Sequence, residues 1–210
     1  MKTKIDIHNW DRYKPYTHFS KFSNPYVSTT TVLNVNNIVL QAKQNKISFY
    51  GLMTYLVLKS INEIEEFKYV MENDKVYKYD KINTTFSVLN DKKMNFTRTV
   101  EYNSNFKKFI SDFNKAKEEA ETSFDIPYDK EPNKCYITCA PWMRVTAVSN
   151  PINYDQKDSV PRVCWGKYFL ESNEYMIDVS IQFNHAFQDG YQIGQFYNSL
   201  QSYINEFDED

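Results

Sequence analysis

The sequence predicts an α+β fold, a single domain over residues 1–210 built on a mixed β-sheet. A chain of 210 residues is long for one small domain and short for two. Apolar residues recur at helical spacing in three segments, and β-branched or alternating runs lie between them. The sequence contains no internal repeat and no low-complexity linker that would divide it.

The first half of the sequence predicts one long helix among short strands. The run YVSTTTVLNV at residues 26–35 is β-branched, which favours a strand. Residues 49–71 are predicted to form a helix with a broad buried face, given by Leu52, Tyr55, Leu56, Ile61, Ile64 and Phe67. Further short strands are expected at residues 76–79, 84–89 and 96–102.

The second half predicts two amphipathic helices around three strands. Residues 104–121 form the first helix, with Ser104 as the expected N-cap and an apolar stripe of Phe106, Phe109, Ile110 and Phe113. Strands are expected at residues 135–145, 159–170 and 176–185. Residues 190–207 carry apolar side chains at helical spacing and predict a C-terminal helix.

The composition excludes several classes of protein. The four glycines form neither GxGxxG nor GxxxxGK[ST], which argues against a nucleotide-binding loop. A net charge of -2 with interspersed signs predicts no nucleic-acid partner. The three cysteines, with so few histidines nearby, predict neither a zinc site nor a disulfide framework. Because no apolar run is long enough for a signal peptide or a membrane span, we expect a reduced, cytoplasmic protein.

His185, at the end of a strand, is the first candidate catalytic residue. It follows the apolar face of the alternating strand, so its ring is expected to point inward. Desolvation favours a neutral imidazole, which can act as a base once its other nitrogen is oriented by a hydrogen bond. Asp189 or a backbone carbonyl could supply that bond, while Gly190 could adopt a positive φ or admit the helix into a crowded place. Taken alone, HxxxDG favours a structural histidine.

Four short motifs occur in the same order as in one known family. NWDR at residues 9–12, with an aromatic-rich run through Phe19, resembles an NWxR segment. ITCAPW at 137–142 resembles S-x-x-P-W, and PRVCWGKY at 161–168 resembles P-x-x-T-x-[AG]-K-Y. HxxxDG at 185–190 is similar to HHxxxDG before a C-terminal helix. Together they resemble the chloramphenicol acetyltransferase family over about residues 5–207, which implies a two-layer α/β sandwich.

The resemblance implies a general base and its support. His185 matches the histidine that takes the proton of an acceptor hydroxyl while its oxygen attacks the thioester of acetyl-CoA, the implied co-substrate. Asp189 matches the acid that pairs with an N-terminal arginine, here Arg12, whose planar fork suits a carboxylate. Asn184 replaces the first of the paired histidines, which is not the base. The family is homotrimeric with active sites between subunits, so His185 is expected to face a partner subunit.

The resemblance also implies an oxyanion side and a CoA side. Thr138 stands at the position of a serine that stabilises the oxyanion; its hydroxyl can donate the same bond, but its methyl group narrows the space. Cys164 stands where a threonine orients a water, and a thiol is a poor donor. Lys167 and Tyr168 match residues on the CoA side, and Phe19 is assigned with them to substrate or CoA binding.

Structural roles are open for several of these residues. Arg12 could be a surface arginine stacked on the neighbouring Trp10 and Tyr13. Cys164 could be a small buried apolar residue. Trp142, which follows a proline, is expected to pack in the core.

Three functions are compatible with the sequence. The first is an acetyl-CoA-dependent O-acetyltransferase that acetylates a hydroxyl of chloramphenicol, or another alcohol, by direct transfer. The second is the core of a dihydrolipoyl acyltransferase, whose chains normally carry lipoyl and linker segments that this sequence lacks. The third is a non-catalytic trimeric binding protein that keeps the scaffold.

Overall fold

Two β-sheets and a layer of helices make up the fold. A computed structural model describes residues 1–122, 131–153 and 158–209. The strands are β1 (Lys2–Lys4), β2 (Tyr26–Asn34), β3 (Tyr69–Glu72), β4 (Lys75–Tyr79), β5 (Asn83–Leu89), β6 (Asn95–Val100), β7 (Lys134–Ala140), β8 (Arg162–Gly166), β9 (Phe169–Glu171) and β10 (Glu174–Asn184). The helices are α1 (Tyr13–Phe19), α2 (Asn36–Asn45), α3 (Phe49–Glu63), α4 (Phe106–Glu121) and α5 (Gly190–Glu206).

The larger sheet is mixed. Its strands lie in the order β2-β10-β8-β7-β5-β6, and β9 also pairs with β10. The pairs β5–β7 and β7–β8 are parallel, whereas the other pairs are antiparallel. Helices α2 to α5 pack their apolar residues against one face of this sheet in a single large core. This arrangement confirms the predicted α+β class with a mixed sheet.

A smaller sheet pairs the N-terminal strand with a hairpin from the first half of the chain. Strands β1, β4 and β3 form it, in that order. Beside it, Trp10 and Tyr16 pack against the fully buried Phe187. The cluster holds the N-terminal segment against the residues that directly follow His185.

The long predicted helix ends earlier than its apolar pattern suggests. Helix α3 begins after the N-cap Ser48, ends at Glu63 and is followed by a 3-10 turn, Glu65–Lys68, and by strand β3. The apolar residues Ile61, Ile64 and Phe67 are spaced by three, a spacing that also fits a 3-10 turn. The prediction of a helix through residue 71 was therefore wrong at its C-terminal end.

Three other local predictions differ from the structure. The N-cap of α4 is Asn105, whose side chain accepts the Lys108 N–H, and not Ser104. The strand expected at residues 159–170 is interrupted after Gly166. A Cβ atom on Gly166 would lie 2.4 Å from the Met143 carbonyl oxygen, so only glycine admits the loop that crosses there. Helices α1 and α2 were not predicted.

Candidate active site

Strand β10 has one apolar and one polar face, and both are buried. Ile177, Val179, Ile181 and Phe183 face the helices, as predicted. The alternate residues Asp178, Ser180, Gln182 and Asn184 lie on the other face. The loop after β7 covers that face, where Arg144 pairs with Asp178 and Asn150 donates to Gln182. The site residues lie on this polar side and at the strand end.

His185 lies one residue beyond the end of β10. Its backbone N–H donates to the Pro25 carbonyl at 2.8 Å, and its ring stacks on Phe19 with centroids 4.0 Å apart and planes inclined by 12°. The side chain is 31% exposed. The ring is therefore mostly shielded from solvent, and it lies against Phe19 of α1, one residue beyond the strand whose alternation predicted an inward position.

Arg12 and Asp189 form a two-bond pair beside this histidine. The guanidinium donates to the carboxylate at 2.8 and 3.2 Å, and also to the carbonyls of His185 and Ala186 at 3.4 Å. Because Arg12 is only 12% exposed and carries these bonds, the alternative of a surface arginine is wrong. Hydrogen bonding to Arg12 holds the pKa of Asp189 below its ordinary value.

The same carboxylate also approaches the histidine ring. His185 Nδ1 lies 3.2 Å from Asp189 Oδ1. The ring is not aligned for a hydrogen bond, and Nδ1 has no hydrogen-bond partner within the described residues. The contact is therefore mainly electrostatic, and Asp189 acts first as the partner of Arg12. We call Arg12, Phe19, His185 and Asp189 the base cluster.

The start of α5 is fixed by side chains that the sequence did not single out. The Asp189 N–H donates to Gln192 Oε1 at 3.0 Å, and Gln192 in turn donates to Glu66 Oε1 at 3.0 Å. Neither expected role of Gly190 holds within the chain: no glycine has a positive φ, and a Cβ here would meet nothing within 4 Å. A polar residue three positions after Asp189 was the available signal for Gln192.

Thr138 and Cys164 lie side by side on neighbouring strands. The sheet register places Thr138 opposite Cys164, and Cys164 opposite Ser180. Cys164 is buried against Ala140 and Val145, and burial raises the pKa of its thiol. It therefore occupies the site as a small neutral residue and not as a nucleophile.

A cavity of about 610 Å³ opens beside Thr138, at the end of β7. We call it the strand-end cavity. Its walls are largely apolar side chains, including Phe49, Tyr50, Trp142 and Tyr168. Trp142 is 61% exposed, so the expectation that it packs in the core was wrong. The cavity suits a slender ligand with an apolar stem.

Of the other residues assigned to substrate or CoA binding, Tyr168 lines this cavity and Lys167 precedes Tyr168 in the chain, whereas Phe19 lies in the base cluster. Tyr168 packs edge-on against Phe49, with ring centroids 5.4 Å apart. Lys167 is exposed, and its backbone N–H donates to the Met143 carbonyl at 2.7 Å. Tyr50, which the sequence did not single out, donates its hydroxyl to the Ser87 carbonyl at 2.9 Å and so ties α3 to the cavity wall.

The base cluster and Thr138 are far apart within one chain. His185 lies five residues beyond Ser180, which lies in line with Thr138 across two strand pairs. At a rise of about 3.3 Å per residue and a strand spacing of about 4.8 Å, the Cα separation is on the order of 19 Å. A reacting atom lies about 3 Å from both a base and an oxyanion donor. His185 and Thr138 of one chain are therefore too far apart to act together on one substrate.

Comparison with known sequences points to one family. A family model described as "Chloramphenicol acetyltransferase" matches residues 1–201. A chloramphenicol acetyltransferase of Clostridium butyricum is 26% identical over 209 residues, covering 98% of this chain and 95% of that protein.

Comparison with solved structures supports the fold. A chloramphenicol acetyltransferase structure has a TM-score of 0.86 at 24% identity and covers 97% of this chain and 100% of that one. A probable dihydrolipoamide acetyltransferase of Listeria monocytogenes has a TM-score of 0.69 at 10% identity, covering 94% and 91% of the two chains. Both likenesses concern the fold alone.

Proposed function

Because this chain belongs to the chloramphenicol acetyltransferase family, we propose that it transfers the acetyl group of acetyl-CoA to a hydroxyl of chloramphenicol. The observation that carries the proposal is the base cluster, in which His185 stacks on Phe19 next to the Arg12–Asp189 pair. The chain is an acyltransferase. We assign the following roles to its residues.

His185 acts as the general base. Its Nδ1 faces Asp189 and is buried, which leaves Nε2 to accept the proton of the acceptor hydroxyl. The hydroxyl oxygen attacks the thioester carbon as that proton moves to the ring. The tetrahedral intermediate then collapses, the C–S bond breaks, and the proton passes to the departing thiolate of CoA. Stacking on Phe19 restricts the ring to one orientation throughout.

Thr138 supplies the oxyanion donor. Its hydroxyl has no hydrogen-bond partner among the described residues, so it is free to donate to the oxygen of the intermediate. The strand-end cavity beside it receives the pantetheine arm of acetyl-CoA, whose stem matches the apolar walls. Lys167 lies exposed near this cavity and is placed to meet a phosphate of the nucleotide.

A complete site needs two copies of the chain. Because His185 and Thr138 are on the order of 19 Å apart in one chain, the base of one protomer must meet the Thr138 of another. This requirement supports a homotrimer with active sites between subunits. In the part of the chain that the structure describes, no helix has the length and apolar character to cross a membrane. We place the enzyme in the cytoplasm, as a single domain over residues 1–210.

The function is tested by thiol release from acetyl-CoA in the presence of chloramphenicol. The wild-type protein should release CoA and form acetylated product, identified by mass spectrometry. His185→Ala should lose at least about 100-fold in turnover, because general-base catalysis contributes that much or more, while its affinity for acetyl-CoA stays within about twofold. His8→Ala, which removes an exposed imidazole, is the matched control and should keep full activity.

Another alcohol is the second candidate acceptor, beside chloramphenicol. Thr138 and Cys164 favour it, because both differ from the family residues on the oxyanion side. A panel of hydroxyl-bearing compounds run beside chloramphenicol decides between them. Faster turnover with another alcohol would move the assignment to that alcohol. Binding of acetyl-CoA with no turnover of any acceptor would instead indicate a non-catalytic binding protein.

A further inference from the structure

Asn184, the last residue of β10, uses both polar groups of its side chain beside His185. Its Oδ1 accepts a hydrogen bond from the Ala186 N–H at 3.0 Å, which closes a turn around His185. Its Nδ2 donates to the Asp158 carbonyl at 2.8 Å. Asn184 is only 2% exposed, so water does not compete for either bond.

Asp158 belongs to a segment that is itself held in place. Its carboxylate accepts hydrogen bonds from both terminal nitrogens of the buried Arg162, at 3.1 and 2.7 Å. The Tyr26 hydroxyl accepts from the Asp158 N–H at 3.0 Å and donates to its carbonyl at 3.2 Å. The carbonyl that Asn184 binds is thus fixed from β2 and from β8.

The Arg12–Asp189 pair and Asn184 hold the same turn from two directions. Arg12 binds the Asp189 carboxylate and the carbonyls of His185 and Ala186. Asn184 links the Ala186 N–H to the Asp158 carbonyl, so the peptide unit between His185 and Ala186 is bound at its carbonyl by Arg12 and at its N–H by Asn184. A side-chain amide carries a donor and an acceptor on one carbon, so it makes both bonds from one rotamer.

We propose that Asn184 is a positioning residue for the general base, an inference that rests on the proposed function of His185. Its amide ties the peptide unit that follows His185 to the Asp158 segment. The imidazole then stays in place against Phe19 while the proton moves. A displacement of about 1 Å at a reacting group can cost about 100-fold in rate.

Steady-state kinetics of two variants provide the first test. Asn184→Ala removes both bonds and should lower kcat about ten- to hundredfold, with the KM for acetyl-CoA within about twofold, because Asn184 is not among the residues that line the strand-end cavity. Asn184→Ser keeps an acceptor for the Ala186 N–H but cannot reach Asp158, so its kcat should lie between those of wild type and Asn184→Ala.

Histidine resonances give a second measurement that does not depend on turnover. The chain has three histidines, so selective ¹⁵N-histidine labelling yields few imidazole signals, and His185→Ala identifies the relevant one. In Asn184→Ala the His185 signals should shift or broaden, while those of the exposed His8 stay in place.

Gln182→Ala is the matched control. It removes another buried side-chain amide from the same face of β10, 6% exposed and bonded to Asn150, away from the His185 turn. This variant should keep kcat and the His185 signals even where its melting temperature falls as far as that of Asn184→Ala.

The outcomes separate this proposal from the proposed function. Wild-type kcat and unchanged His185 signals in Asn184→Ala would overturn it, as would equal effects in Gln182→Ala. If the wild-type protein acetylates no acceptor, the proposed function fails, whereas the His185 signals still decide whether Asn184 positions the ring.

Discussion

The base cluster is held by directed polar bonds between distant parts of the chain, whereas the strand-end cavity is shaped by apolar packing. Arg12 contacts Asp189 and two backbone carbonyls, and Asn184 and Gln192 fix the turn between them. By contrast, Thr138 presents its hydroxyl beside largely apolar walls. A proton-transfer group needs fixed orientation, while a binding cavity needs mainly shape.

The two regions differ in how far they depart from the family pattern. Arg12, His185 and Asp189 match the family motifs, whereas Thr138 and Cys164, on the cavity side, do not. A hydrogen-bonded cluster loses several bonds when one member changes. Apolar packing depends mainly on volume and shape, and the neutral Cys164, buried against Ala140 and Val145, illustrates this.

Thr138→Val should have the largest effect among the tests of this contrast. Valine keeps the shape and removes the hydroxyl, so turnover should fall about 100- to 1000-fold, the usual cost of losing an oxyanion donor. Stability should change little, because the hydroxyl has no hydrogen-bond partner within the described residues. Thr138→Ser is the control and should keep or raise the rate. Equal rates in all three proteins would show that this hydroxyl takes no part in the reaction.

Asp189→Asn should have the second largest effect. Turnover should be about 100-fold lower, because the turn that carries His185 loses the carboxylate that binds Arg12. Unlike Thr138→Val, it should also lower the free energy of unfolding by about 1.5–3 kcal/mol, the range for hydrogen bonds to charged groups. The thiol-release assay measures the turnover, and unfolding in denaturant measures the free energy of unfolding. A fall in rate with full stability would mean that Asp189 acts on the ring alone and not through Arg12.

The smallest expected effect is on acid stability. Arg12 holds the pKa of Asp189 below 3.8, so the pair stabilises the fold above that pH and loses its contribution as the pH falls through the lowered pKa. The difference in melting temperature between wild type and Asp189→Asn should be constant above about pH 5 and narrow below about pH 4. If this difference in melting temperature stays constant down to the lowest pH, the ionisation of Asp189 does not contribute to stability as proposed.

The sequence could predict which residues belong to the candidate site, but not which side chains hold them in place. HxxxDG, NWDR and PRVCWGKY singled out His185, Asp189, Arg12 and Cys164. The anchors Asn184 and Gln192 bind Asp158 and Glu66, which are remote in sequence, so no local pattern predicts these contacts. Trp142 was placed in the core because hydrophobicity alone does not distinguish a core residue from one that lines an open cavity.

Local sequence patterns predicted where the strands and helices of this protein lie better than they predicted the residues at which these elements end. The alternation of β10 and the stripe of α4 appear in the structure as predicted, because the periods of strand and helix are properties of the backbone. The end of α3 was missed because an apolar spacing of three suits both a helix and a 3-10 turn.

The sequence alone thus determined the α+β class and most of the strands, and it singled out His185, Asp189 and Arg12 as candidates for a base and its partners. Only the tertiary structure decided that the ring of His185 is partly exposed and stacks on Phe19, and that Thr138 lies far from it within one chain. The physical reason is that periodicity reports which face of an element is buried. The distance between two side chains depends on strand order and register, which the folded chain alone fixes.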